Sequence, residues 1–472
     1  MSIKTVVRSR ALGAAAFASS MLIGGVALGQ SFPCVWDAAP GVPGFENLYG
    51  DAWVMSSVIH DDGAGPALYA AGAFTSVGGR ATGGIARWDG AAWQPVGGGV
   101  SGYVATLVEY DDGSGTKLVA GGAFEPVGLP GVQRVAAWDG TRWSALGDGL
   151  IALGSEGAGP QWVRSLAVFD DGAGPKLYAG TNFDIWNVPG AKRMARYDGA
   201  QWHAVPGDPT PSGLPFSTAE VTALASFDDG SGPALYAGGN DLGDALALAR
   251  FDGASWTSLG PTSGRVDALV VHDDGSGAAL YVGGLFSQVA GVPIKNLARL
   301  DGSSRSSGGS WSALPGVVLG QGDEIACFAP HAIDGVPQLV MGRRDHDATD
   351  ITGRLLAWDG VSLHALLGSM TADAMAFPYL PWSITTLASL PNPTGTTLFV
   401  AGQFTEVDGI DVKHAAFWNA SPIGDLDCDG LVGAADLGLL LAAWATDAAA
   451  ADLDGSGTVD GADLGALLGN WG

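Results

Sequence analysis

Two short sequence marks alternate down this chain seven times, and that repetition restricts its fold more than any other feature. The first, Asp-Asp-Gly-Ser/Ala-Gly, begins at Asp61, Asp111, Asp170, Asp228 and Asp273, with reduced copies at Asp334-Gly335 and Thr394-Gly395. The second is an aromatic residue before Asp-Gly, at Trp88, Trp138, Tyr197, Phe251 and Trp358; Leu300-Asp301-Gly302 and Trp418-Asn419 are its reduced copies. Successive copies of the second mark stand 50, 59, 54, 49, 58 and 60 residues apart. A unit of that size cannot bury its apolar face alone and must stack on its neighbours.

Within a unit the pattern reads as four strands. Alternating segments such as Val104 to Tyr110 and Val221 to Phe227 run into the first mark. Asp-Gly between such segments predicts hairpins whose central residues accept positive φ. An apolar run ending in glycine follows, as in Leu118-Val119-Ala120-Gly121-Gly122 and Leu280-Tyr281-Val282-Gly283-Gly284. Glycine there lets backbones approach closely. A third strand leads into the second mark, and a fourth carries Trp93, Trp143, Trp202, Trp256 or Trp311. The seventh unit stops at Trp418, one strand short. Residues 32–44, including Cys34-Val35-Trp36-Asp37, form a strand-sized piece ahead of the first unit, and are expected to supply the missing strand. The expected fold is all-β: a seven-bladed β-propeller of four-stranded antiparallel blades, with a small α-helical calcium-loop module after it.

The order apolar strand, Gly-Gly, aromatic-Asp turn, then Trp resembles kelch-type propeller repeats; Leu118 to Gly122, Trp138-Asp139 and Trp143 carry it most fully. The resemblance covers roughly residues 32–420 and departs from the kelch pattern in its Asp-Asp-Gly-Ser-Gly turn. It implies architecture rather than activity.

The segment 422–472 carries a different signal. Asp425 to Asp436 is a twelve-residue loop with Asp425, Asp427, Asp429 and Asp436 at positions 1, 3, 5 and 12, Gly430 at the sharp turn and the Leu431 carbonyl at position 7. A second loop from Asp452 to Asp463 places Asp454, Ser456, Thr458, Asp460 and Asp463 at corresponding positions. Alternating oxygens around such a loop suit calcium, a hard cation that takes six to eight of them. An amphipathic segment follows each loop, ending at Trp444 and at Trp471. The paired units, with Asp at position 12, resemble a type I dockerin. The resemblance implies calcium binding and attachment to a cohesin-like protein partner, often in polysaccharide-degrading assemblies. The partner-reading positions are small here: Ala434, Ala435, Gly461 and Ala462.

Lys4, Arg8 and Arg10 precede an apolar, small-residue run over 11–28, so residues 1–29 read as a secretory signal. A retained anchor is the competing reading of that run. The domain expectation is then 1–29 signal, 30–421 propeller and 422–472 calcium module. The product would be secreted or cell-surface, with no membrane segment after cleavage. A formal charge of −26 disfavours nucleic acid as a partner. Three cysteines, Cys34, Cys327 and Cys428, cannot complete a disulfide framework, although the first two could pair.

No nucleophile, base or redox-metal set stands at a recognisable spacing. His60 and His272 occupy a position where other units have Tyr110, Phe169 and Phe227, which predicts an aromatic packing slot. The most unusual polar cluster, Arg343-Arg344-Asp345-His346-Asp347, falls between the second and third strands of unit six, on the face that carries the variable connections. It is the candidate site for an anionic, glycan or protein ligand. The aspartates of the repeated turns are expected to hold turn geometry rather than metal. Two functions follow: a non-catalytic binding or scaffold protein, or a carbohydrate-active enzyme with its site in the central channel. Clustered carboxylates at the channel mouth would favour the enzyme.

Overall fold

The computed structural model describes residues 36–38, 44–48, 52–126, 131–152, 161–208, 220–240, 247–260, 262–302, 310–315, 319, 323–333, 335–345, 355–366, 370–371, 382–392, 395–407, 410–419, 424–426, 432–446, 451, 453 and 458–471. Among the described residues the chain is all-β apart from two short helices at the C-terminal end. The first four-stranded antiparallel sheet comprises Trp53–Asp61, Pro66–Ala73, Ile85–Trp88 and Trp93–Pro95. The next five repeat this order, with first strands Val100–Asp111, Val163–Asp170, Glu220–Asp228, Gly264–Asp273 and Asp323–Ile333. The seventh contains Trp382–Asn392, Gly395–Gly402 and Ala415–Asn419, and its fourth strand is Trp36–Ala38. That strand pairs antiparallel in the register Trp36 with Trp418 and Ala38 with Ala416, so the two ends of the repeat region share one sheet.

Each first strand touches the first strand of the next sheet, and that of the seventh touches that of the first. The arrangement is propeller-like. Apolar side chains follow the same order in clusters shared by successive sheets. One joins Tyr69 and Ile85 to Leu118, Trp138 and Trp143; another joins Phe399 and Phe417 of the seventh sheet to Leu68 and Trp88 of the first. Full burial of such a side chain contributes about 1.5–3 kcal/mol. The fourth-strand tryptophans add polar contacts across the seams: Trp143 Nε1 donates to the Val96 carbonyl at 3.2 Å and Trp202 Nε1 to that of Leu146 at 2.8 Å.

A bulge at one place in every first strand explains the Gly-Gly pairs. The register slips by one residue at Met55, Ala105, Arg164, Thr222, Asp267, Ala326 and Thr385. The second glycine faces its own sheet's bulge: a Cβ on Gly122 would lie 2.1 Å from the Tyr103 carbonyl oxygen. The first glycine makes room for the next sheet: a Cβ on Gly238 would lie 2.5 Å from Val266 Cγ1. Side chains beside the bulges also bond across seams. Ser165 Oγ donates to the Val221 carbonyl at 2.9 Å, and Thr385 Oγ1 to that of Val54, which links the seventh sheet to the first.

The first mark is not the two-residue hairpin that Asp-Gly suggests. Asp61 pairs with Pro66, leaving four residues in the turn, and only Gly63 and Gly65 have positive φ. The reason is the preceding aspartate: Asp61 Oδ1 accepts from the backbone N–H of both Gly63 and Gly65 at 2.9 Å, which fixes a wider loop. The following aspartate ties strands together. Asp62, Asp229 and Asp274 accept from the hydroxyls of Tyr69, Tyr236 and Tyr281, with Arg87, Arg250 and Arg299 alongside. Burial pushes the Asp274 carboxyl up, but bonds from Ser276, Tyr281 and Trp358 outweigh it and hold the group well below the usual range. These turn aspartates are structural, as their sequence position suggests.

The histidine slot is also occupied as expected. His60 and His272 are buried and pack edge-on against Tyr69 and Tyr281, where Phe169 and Phe227 meet Tyr178 and Tyr236. His331 fills the same position in the sixth sheet, against Trp418. Cys327 is a buried free thiol bonded to the Ile384 carbonyl; Cys34 and Cys428 lie outside the described residues, as do 1–29.

Candidate functional site

Arg343 and Arg344 do not lie in a loop. The second strand of the sixth sheet, Val336–Asp345, runs through both, because its pairing with Asp323–Ile333 continues to the pair Asp345 with Asp323. The same end of the strand pairs with the seventh sheet through Arg344 with Ser383. His346 and Asp347 lie outside the described residues.

Around Arg344 the structure assembles a charge cluster that spans two sheets. Arg344 Nη1 donates to Glu324 Oε1 at 2.5 Å, and Arg265 Nη2 to Glu324 Oε2 at 2.6 Å. Arg265 Nε bonds Asp267 Oδ2 at 3.0 Å, while Arg343 lies 3.5 Å from Asp323. Glu324 is fully buried. Burial, followed by the charge of Glu324, raises the Asp267 carboxyl, against the opposing pull of Arg265 and Arg344. The cluster sits where the first strands begin, at the inner rim of the face with the variable connections.

Arg265, Asp267 and Glu324 escape a motif search because no short pattern unites them; they meet only through the stacking of sheets five and six. A signal was present nevertheless. Asp267 is the bulge residue, where other units have Met55, Ala105, Thr222, Ala326 or Thr385. Only Arg164 is likewise charged there, and it pairs with Glu220 at 3.2 Å.

In the C-terminal segment, α1 (Ala434–Ala442) and α2 (Gly461–Gly469) follow the two acidic loops and share a small apolar core of Val432, Leu440, Leu453, Val459 and Leu467. Three loop carboxylates are buried. Asp425 is 2% exposed, Asp436 1% and Asp463 0%. Asp436 accepts from the Leu426 N–H at 2.6 Å and the Gly433 N–H at 2.7 Å; Asp463 accepts from the Asp460 N–H at 2.7 Å. Residues 422–472 contain no Lys, Arg or His. Buried carboxylates in a segment without cationic side chains are compatible with a hard cation, which takes oxygen ligands. Thr458 and Asp460 are described and exposed, whereas Asp427, Asp429, Leu431, Asp452, Asp454 and Ser456 lie outside the described residues. Among the described residues no group of three or more His, Cys, Asp or Glu side chains converges on a metal-sized site.

No protein-family model matches the chain, and no curated protein matches it. Among solved structures it is similar to the extracellular domain of the one-component system BT4673 from B. thetaiotaomicron, with TM-score 0.44 and 13% identity over 83% of this chain and 41% of that one. The extracellular domain of the hybrid two-component system BT4673 gives 0.43 and 12% over 84% and 42%. BBS1N in its complex with ARL6DN gives 0.43 and 11% over 82% and 97%. The chain thus spans about two fifths of the BT4673 chains. Among the described residues no helix is long and apolar enough to cross a membrane.

Proposed function

We propose that this chain is an exported, non-catalytic binding or scaffold protein. In this reading a seven-bladed, kelch-like propeller over 30–421 presents its variable face to a glycan or protein ligand. A dockerin-like module over 422–472 attaches the molecule to a cohesin-like partner when it holds calcium. The observation that carries the proposal is the burial of Asp425, Asp436 and Asp463 in a segment without a single cationic side chain. Burying carboxylates with no cationic side chain nearby costs several kcal/mol, and a bound divalent cation would offset that cost. Seven repeat marks and the cyclic contacts of the first strands support the propeller.

Affinity capture from the native extracellular fraction, in calcium and then in EDTA, tests the attachment. A protein released by EDTA and lost on deleting 422–472 is the expected result. A partner retained through both changes would move the function to the propeller, and capture of nothing would remove the scaffold reading.

One observation favours a carbohydrate-active enzyme instead: Asp267 and Glu324 cluster at the inner rim, and Asp267 holds its proton more tightly than an ordinary aspartate. Arginines engage both carboxylates and Glu324 has no solvent exposure, which suits a structural tie better than proton transfer to a substrate. Polysaccharide turnover abolished by Asp267→Asn would reverse this preference.

A further inference from the structure

Two carboxylates share one guanidinium at the seam between sheets five and six. Arg265 donates through Nε to Asp267 Oδ2 at 3.0 Å and through Nη2 to Glu324 Oε2 at 2.6 Å. Glu324 has a second cation of its own, since Arg344 Nη1 donates to its Oε1 at 2.5 Å. The side chain of Asp267 is 15% exposed and that of Glu324 not at all. Two such neighbours, short of water, favour a proton on one of them. Shorter bonds from two guanidiniums keep Glu324 ionised, so the proton falls to Asp267. Its carboxyl is accordingly raised from the ordinary value, by burial first and then by the charge of Glu324.

The strand geometry does not require an acid here. Asp267 stands at the bulge, where Met55, Ala105, Thr222, Ala326 and Thr385 serve in other sheets. The remaining charged groups of the neighbouring strands have partners of their own. The first strand of sheet four brings Glu220, paired with Arg164, and Asp228, which accepts from the N–H groups of Gly230 and Gly232. The second strands of sheets four and five bring Tyr236 and Tyr281, whose hydroxyls donate to Asp229 and Asp274. Sheet six adds Asp323, 3.5 Å from Arg343, with Asp345 opposite Asp323 in the register. Further along its own strand come His272 and Asp273, the latter bonded to the N–H groups of Gly275 and Gly277. The charges that act most on Asp267 are therefore those of Glu324, Arg265 and Arg344.

The same two sheets contain groups that answer acid in the opposite sense. Burial lowers His272 and His331, near the far ends of the first strands of sheets five and six, so each favours the neutral ring and loses stability as pH falls. Asp267 holds its proton more tightly in the folded chain than in the unfolded one. Its contribution to stability therefore rises as pH falls from neutral toward the ordinary carboxyl range. We propose that Asp267 is a proton-operated brace, which tightens the seam between sheets five and six on acidification while the imidazoles of those sheets lose stability. Protonation leaves Glu324 as the one ionised carboxylate between Arg265 and Arg344, and ends the repulsion between two neighbouring anions. The brace goes beyond ligand binding and attachment and depends on neither.

The test compares the full wild-type chain with Asp267→Asn, which keeps the shape and removes the charge, at pH 7.5 and at pH 4.5. Thermal unfolding reads the whole molecule, and peptide-level hydrogen exchange over 264–273 and 323–333 reads the seam. At a given pH the intrinsic exchange chemistry is nearly the same for both proteins, so their ratio reports the structure. At pH 7.5 the variant should melt higher, and its two strands should exchange about tenfold more slowly. At pH 4.5 the two proteins should behave alike. Asp267→Thr, which places the residue of sheets four and seven at the bulge, should follow Asp267→Asn. Variants that melt lower, exchange faster or fail to fold at pH 7.5 overturn the proposal, because the ionised carboxylate would then hold the seam together. A difference of equal size at both pH values, or none at either, overturns it too, since a proton on Asp267 would not be its source.

Discussion

A single buried imidazole shows how one side chain sets a condition on the fold. His331 fills an aromatic slot, with Nδ1 2.9 Å from Ser389 Oγ and its ring edge-on to Trp418. Burial pushes it down to about 4, so the folded chain favours the neutral ring. A group depressed in this way contributes stability that is complete above about 6.5 and is lost as pH falls toward 4. The turn carboxylates act in the same direction at lower pH. Asp62, Asp112, Asp171, Asp229 and Asp274 are held below the usual range, so their contribution fades only below about 4. Replacing His331 with Phe, the residue at the equivalent position in sheets three and four, should keep the packing and remove the earlier loss. Between pH 6.5 and 4.5 the variant should lose roughly 1–3 kcal/mol less stability than the wild type in urea melts. Parallel pH profiles for the two proteins would contradict this account of the slot.

At the scale of strands and turns, the bulge and the Gly-Gly pair are one device. Gly238 has ordinary backbone angles, so its necessity is steric: the next sheet brings Val266 where a methyl group would stand. Gly238→Ala should cost about 1–3 kcal/mol. Combining it with Val266→Ala should cost less than the sum of the two single changes, because the second change vacates the space the first needs. Strict additivity in that double-mutant cycle would show that the seam does not depend on this contact.

The repeat, the strand order and the fourth-strand tryptophans were legible in the sequence because they are local and recur. The bulge was written there too, as Val or Ile, any residue, then a small one, at Val54, Val104, Val163, Val221, Val266, Ile325 and Ile384; its meaning depends on the partner strand. Arg344 was legible as unusual, but not its bond to Glu324, since that bond depends on register. Arg265 and Asp267, 57 or more residues from Glu324 and outside any motif, could be joined to it only by the fold. On the proposed calcium reading of the C-terminal segment, the full chain should bind calcium in calorimetric titration, and Asp463→Asn should weaken that binding at least tenfold, with less heat stabilisation by calcium. An unchanged isotherm would remove Asp463 as a ligand.

For the whole molecule, the decisive feature is how the two ends of the repeat region meet. Six sheets obtain their fourth strand from the next few residues of the chain. The seventh takes Trp36–Ala38 from more than 370 residues away, and the Thr385 hydroxyl reaches the Val54 carbonyl across the same seam. That pairing joins the first and seventh sheets among the described residues, so the stacked cores can support the charge cluster at the start of the first strands. Thermal unfolding of residues 30–472 beside a chain beginning at residue 45 tests that closure most directly. The account predicts a lower and broader transition for the shortened chain, as the open edge at Ala415–Asn419 loosens the first and seventh sheets. A melting curve superimposable on that of the longer chain would contradict it.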